Sequence, residues 1–216
     1  MATEQLLLFI AAGLLLNLTP GPDVLYIVTN ALRSGARAGV VAALGITAGC
    51  FVHIFAAAVG VSALLAASAT AFTVLKWVGA AYLVWVGVRL LFSKGQDAIN
   101  LEASGADALR AGGLKGVFIH GFGTNALNPK VALFFLAFLP QFIGPQVENK
   151  TLAFLLLGLL FNFNGLWVNI AWALAAAWMA RRLATVRKAM HWLDRAAGAM
   201  FVGFGLKLAL SDNPSR

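Results

Sequence analysis

The residues best placed to do chemistry are one carboxylate and one ammonium, each set beside prolines within an apolar run: Asn17-Leu-Thr-Pro-Gly-Pro-Asp23 and Asn125-Ala-Leu-Asn-Pro-Lys130. A proline removes a backbone donor and frees carbonyls upstream of it. Lipid cannot satisfy such groups, so a break of this kind persists where it faces protein or a wet cavity. The chemistry offered is recognition of a small polar solute. Asn17, Thr19, Pro20, Gly21, Pro22 and Asp23 in the first break, with Asn125, Asn128, Pro129 and Lys130 in the second, are the candidate site residues.

Helix signals around each break sharpen this reading. A helix restarting at Pro22 has proline at its first position, where a missing N–H costs nothing, and Asp23 in its first turn, facing the positive end of the dipole. In the second break Asn128 is the N-cap candidate, Pro129 the first helical residue and Lys130 a first-turn cation with no local reason to be there. With exposed backbone donors it would make a positive pocket suited to an anion such as a carboxylate. Each intramembrane charge costs about 2.5–3.5 kcal/mol near the bilayer centre, so both charges need partners. Two accounts stand. Asp23 and Lys130 pair with each other, or they receive the ammonium and carboxylate of a zwitterion.

Composition states why these segments are read as membrane-embedded. Hydrophobic residues make up 61% of the 216-residue chain and charged ones 11%, with a mean hydropathy of +0.85; a soluble domain carries about 25% charged residues. A spanning helix needs about 20 mostly apolar residues. Gln5–Leu32, Ala38–Ala66, Phe72–Phe92, Leu114–Ile143, Leu152–Ala180 and Ala196–Leu210 meet or approach this. The fold expected is all-α: a polytopic membrane protein of six transmembrane helices. The first run follows Glu4 with no preceding Lys or Arg and no A-x-A cleavage site, so it is expected to stay in the mature protein. Cys50 is alone, which excludes an intramolecular disulfide, and reads as a small packing residue.

Arg33, Arg37, Arg89, Lys94, Arg110, Lys115, Arg181, Arg182, Arg187, Lys188 and Arg195 fall on one side of such a six-span layout, against Lys76, Lys150, Lys207 and Arg216 on the other. The positive-inside rule makes the first side cytoplasmic. Both termini then face outward, unless the broken first segment re-enters. The net charge of +8 thus belongs to short loops beside membrane segments, without the aromatic interleaving of a nucleic-acid groove.

The segment 93–113 mixes charge signs with small residues and reads as a flexible cytoplasmic linker between residues 1–92 and 114–216. These halves echo each other in Pro22-Asp-Val against Pro129-Lys-Val and Val86-Gly-Val-Arg-Leu against Phe204-Gly-Leu-Lys-Leu. Three spans per repeat is an odd number, so two repeats lie in opposite orientations. Such an inverted pair can open a central site to either side in turn.

Pro20-Gly-Pro-Asp, Arg33-Ser-Gly-x-x-Ala-Gly39, Ala43-Leu-Gly-Ile-Thr-Ala-Gly49, Lys76-Trp-Val-Gly-Ala-Ala-Tyr-Leu-Val-Trp-Val-Gly87 and Asn128-Pro-Lys-Val-Ala-Leu-Phe-Phe135 with Leu139-Pro-Gln-Phe142 occur in order along nearly the whole chain. In these motifs the chain resembles the LysE/RhtB family of amino-acid exporters. The resemblance implies a multi-pass inner-membrane efflux carrier for small amino acids or derivatives, of the homoserine, threonine and homoserine lactone type, driven by the proton gradient. Asp23 stands where the family pattern often has Asn or another polar residue, a departure that leaves its role open.

Other polar residues at depth have two readings each. Asn162 and Asn169 are seven apart and share a helix face, as packing glue or as substrate contacts. His53 is a proton relay or an interhelical hydrogen bonder. Gly35-x-x-x-Gly39 and Gly45-x-x-x-Gly49 permit close helix approach in the bundle and also allow a homodimer. Arg181 to Arg195 reads equally as an interfacial helix or a solvated basic loop. One Asp, one Lys, one His and one Cys at unrelated spacings do not make an enzyme centre. No metal site or cofactor is expected, and the partners are an amino-acid substrate, protons and the lipid bilayer. A divalent-cation exporter would want several oxygen or sulfur ligands at depth, and a non-transporting membrane subunit would not need two charged breaks.

Overall fold

The computed structural model describes residues 3–61, 102–144 and 146–180, with scattered positions between 70 and 88 and between 195 and 206. All the elements it describes are helical. Helix α1 spans Thr3–Leu18 and α2 Pro22–Ala56, closed by a π turn at Ala57–Val61; α3 is Glu102–Ala126. The short α4, Pro129–Leu133, runs into a π turn at Phe134–Phe138 and a 3₁₀ turn at Leu139–Phe142, and α5 is Lys150–Met179.

Both breaks fall where the prolines put them. Helix α1 stops at Leu18, and α2 begins with Pro22 at its first position behind an extended Gly21. Asn128 caps α4 by accepting the N–H of Lys130 at 3.0 Å, with Pro129 as the first helical residue. Asn149 caps α5 in the same way, through the N–H of Leu152 at 2.9 Å.

Helix α2 is two arms joined at one residue. Gly35 has φ 81° and ψ 176°, a combination that only glycine adopts readily. A β-carbon on Gly39 would lie 2.6 Å from that of Ala31, although eight residues of straight helix advance about 12 Å. The chain therefore doubles back at Gly35. Gly35 is thus a backbone corner and not the packing residue expected of it, while Gly39 does pack. Arg33 and Arg37 flank this corner and are exposed. Gly113 makes a second corner (φ 57°, ψ −146°) inside α3. The stretch expected as a flexible linker is helical from Glu102 up to it.

The second arm of α2 crosses α3 at a glycine contact. A β-carbon on Gly45 or Gly49 would collide with the carbonyl oxygen of Phe118 or Phe122, and one on Gly121 would lie 2.9 Å from Ala42 O. Tyr26 fastens the crossing from the first arm, donating to Val117 O at 2.8 Å. A second core forms where Phe9, Phe134, Phe135, Phe138, Phe142 and Phe161 bring α1, the α4 region and α5 together; Phe134 and Phe161 stack at 4.7 Å, and Phe9 meets Phe142 edge-on at 5.2 Å.

Among the described residues, two helical runs are long and apolar enough to cross a membrane, Pro22–Gly60, which is doubled back at Gly35, and Lys150–Met179, and Gly112–Ala126 with Pro129–Phe142 make a third span if that pair, bent by 43°, counts as one. The polar and apolar residues are sorted for lipid. Leu7, Phe55, Phe163, Trp167 and Trp178 are exposed, whereas Asp23, His53, Asn125, Lys130, Asn162 and Asn169 are buried, the reverse of a water-soluble surface. The windows Phe72–Phe92 and Ala196–Leu210 lie largely outside the described residues, as do the Arg181 to Arg195 stretch and the echo between the third and sixth segments.

Candidate functional site

The breaks converge on one cavity. Leu16 and Asn17 reach it from the end of α1, Asp23 and Val24 from the start of α2, and Ile46, Thr47 and Cys50 from the second arm of α2. Asn125 enters from α3, Lys130 and Val131 from α4, and Phe161, Asn162, Gly165 and Asn169 from one face of α5. Its volume is about 20 Å³, room for water but not for an amino acid. Admission of a larger solute requires these elements to part.

Asp23 and Lys130 share this cavity without forming an ion pair. Asp23 accepts a hydrogen bond from Asn125 Nδ2 at 2.8 Å through Oδ2. The Lys130 ammonium donates instead to the carbonyl oxygens of Leu16 and Thr19, each at 3.1 Å. Direct pairing across the cavity is therefore corrected. So is the view that a cation in the first turn of α4 has no local reason: its reason is the negative end of α1, where carbonyls stand open. Asp23 likewise sits at the positive end of α2, so each charge faces a helix end of opposite sign.

The remaining sequence candidates take graded places around this pair. Asn17, Asn162 and Asn169 line the cavity, with Asn162 Nδ2 also donating to Thr47 O at 3.2 Å. Thr19 closes the last turn of α1 with its hydroxyl on Leu15 O at 2.6 Å. Gly21 leaves room for the Lys130 ammonium, since a β-carbon there would lie 3.1 Å from Nζ. Pro20, Pro22, Asn128 and Pro129 shape the backbone and do not line the cavity. His53 stands behind the wall, its Nε2 2.8 Å from Asn125 O and its ring stacked on Phe135. A carbonyl only accepts, so Nε2 carries a hydrogen.

The sequence reading missed Thr47, Cys50, Phe161 and Gly165. Thr47 lies within the glycine motif that brings α2 onto α3, and Gly165 shares the face of Asn162 and Asn169, so their helical spacing was the available signal. Cys50, read as packing, is buried and also lines the cavity. Nothing in the local sequence marks Phe161.

Four buried polar atoms have no hydrogen-bond partner among the described residues around the breaks: Asp23 Oδ1, Asn125 Oδ1, Asn17 Nδ2 and Asn128 Nδ2. Buried polar atoms are rarely left so. Asp23 and Asn125 thus hold unused acceptors and Asn17 an unused donor in residues that line the cavity, a set that a solute with both an ammonium and an acceptor could satisfy once the elements part.

The family model for LysE type translocators matches residues 14–212. The chain belongs to this family. LysE members are translocators and not enzymes, and the chain is similar across its length to relatives named for efflux. A homoserine/homoserine lactone efflux protein of Salmonella typhimurium is 31% identical over 97% of this chain and 98% of its own. A leucine efflux protein of Enterobacter sp. is 27% identical over 93% of each chain. An uncharacterised membrane protein of Vibrio cholerae is 33% identical over 94% of this chain and 95% of its own. No solved structure matches this LysE chain.

Proposed function

We propose that the protein is an inner-membrane, multi-pass secondary transporter that exports small neutral or hydroxylated amino acids or their derivatives, coupled to the proton gradient. The observation that carries this is the cavity between the two breaks, lined by Asp23, Asn125, Lys130 and Asn17 together, with Asp23 Oδ1 and Asn125 Oδ1 buried and without a hydrogen-bond partner. One carboxylate with one ammonium suits a zwitterion better than a divalent cation, which takes several oxygen ligands. Asp23 holds the substrate ammonium and is the carboxylate available to carry a proton. The efflux names of the relatives point to homoserine, homoserine lactone and leucine as the first compounds to try.

An inverted repeat of three plus three spans is the architecture we infer for this transport. Its support is a correspondence in packing. Asn17, in the last turn of α1, lies against Gly165 of α5; Asn125, in the last turn of α3, lies against Gly49 of α2. In each case the half-helix before one break docks its asparagine on a glycine of the helix that follows the other break. Reconstituted protein tests the whole reading: labelled homoserine or leucine should show counterflow in proteoliposomes and uphill movement under an imposed proton gradient. Counterflow of neither compound, nor of any other small amino acid, would overturn it.

A further inference from the structure

Helix geometry says which carbonyl each proline strands. The N–H of a residue closes on the carbonyl four positions earlier, so Pro20 strands Leu16 O and Pro129 strands Asn125 O. Both are filled from far along the chain by ionisable side chains. Lys130 Nζ donates to Leu16 O, and also to Thr19 O just before the break, each at 3.1 Å. His53 Nε2 donates to Asn125 O at 2.8 Å. The two differ in redundancy: Asn125 O also accepts the N–H of Asn128 at 2.8 Å, whereas Lys130 alone serves Leu16 O among the described residues.

A backbone N–H is fixed, but an ammonium on a four-carbon stem can be drawn away. Lys130 lines the cavity, and a carboxylate, which carries a full negative charge, is a stronger acceptor for an ammonium than a neutral carbonyl. Gly21, with no β-carbon, leaves room for its tip. We infer that Lys130 is a substrate-released latch: its ammonium holds the end of α1 in place of the missing proline N–H, and a substrate carboxylate entering the cavity withdraws it and frees that end to move. This rests on the export reading above. Lys130 is then a positioning residue for α1 as well as a substrate contact, and Pro20 is what makes the contact exchangeable.

The test is hydrogen–deuterium exchange over residues 14–19 of the full-length protein, with L-homoserine or L-leucine as the carboxylate probe and homoserine lactone as the ammonium-only probe. Ligands ordinarily slow exchange; the latch requires the amino acid to raise it, by about twofold or more, in this segment alone. The lactone leaves it unchanged or lower. In Pro20→Ala, where a backbone N–H serves Leu16 O permanently, the rise disappears and the maximal transport rate falls roughly tenfold with KM little changed, since release of α1 becomes the slow step. Pro20→Ala also restores the membrane abundance that Lys130→Gln loses, without restoring transport. Unchanged or slower exchange in a wild-type protein that shows counterflow would overturn the latch, as would normal transport by the Pro20→Ala, Lys130→Gln double variant. Absence of counterflow from the wild type would instead overturn the export reading, and the latch with it.

Discussion

At the scale of single residues, substitutions at Asp23 and Asn125 should separate binding from folding. Asp23→Asn retains an oxygen for the Asn125 Nδ2 bond at Oδ2, so the protein should insert at near wild-type abundance. It loses the charged acceptor, and a hydrogen bond to a charged group is worth about 1.5–3 kcal/mol; uphill export should fall by roughly tenfold to a hundredfold. Wild-type export under a proton gradient would remove Asp23 from the mechanism. Asn125→Ala should behave differently, because it strips Asp23 Oδ2 of its 2.8 Å donor and leaves a buried carboxylate short of a hydrogen bond. Abundance and thermal stability in detergent should both drop, by about 1–3 kcal/mol. Lys130 and Pro20 meet at one carbonyl, so their stability losses should be coupled directly, whereas Asp23 and Lys130, with no hydrogen bond between them, couple only through their charges. A double-mutant cycle measured by thermal unfolding compares the two pairs directly.

At the scale of elements, glycines divide into those that shape the chain and those that let helices meet. Nothing lies within 4 Å of a β-carbon built on Gly35, so Gly35→Ala is costly through its positive φ alone, by about 1–3 kcal/mol. Gly121→Ala pushes a methyl into the carbonyl of Ala42 at the crossing of α2 and α3, and should destabilise by about 1–3 kcal/mol. Two residues on, Gly123 has open space and ordinary helical backbone, so Gly123→Ala should be neutral or stabilising by up to about 1 kcal/mol. Equal effects at Gly121 and Gly123 in a thermal-shift assay would mean that the close crossing is absent. Much of this layer was readable in the sequence. Pro20, Pro22 and Pro129 lack donors wherever they sit, so both breaks, the first position of α2 and the Asn128 cap follow from local chemistry. What local chemistry does not carry is the partner of a stranded group. The donor on Leu16 O lies 114 residues away on Lys130, and opposite charges in like positions suggested a pair that the folded chain does not make. Phe161 was equally out of reach, because lining a cavity depends on how separate helices converge, whereas Thr47 and Gly165 carried a signal in their helical spacing.

For the whole molecule, the glycine crossing bears on orientation independently of charge. Gly45 faces Phe118 and Gly49 faces Phe122, so residue numbers rise together along the contact and the second arm of α2 runs parallel to this part of α3. The corners at Gly35 and Gly113 then lie at one end of the bundle. The turn between Phe142 and Lys150 lies at the other, after α4 has carried the chain onward. Arg33, Arg37 and Lys115 border the two corners, and the positive-inside rule makes that end cytoplasmic. A single cysteine at Ser34, in a Cys50→Ala background, should therefore resist an impermeant thiol reagent in intact cells and react in inverted vesicles. Gln146→Cys should do the reverse, since Gln146 is exposed in the opposite turn. Labelling of both positions from the same side would contradict the parallel crossing itself, because no choice of membrane orientation puts the two ends together. Labelling from opposite sides in the inverted sense would leave the packing intact and overturn only the assignment made from lysine and arginine. Distinguishing these outcomes matters for the direction of export, which requires the cavity between the breaks to open to the cytoplasm at the corner end and to the outside at the other.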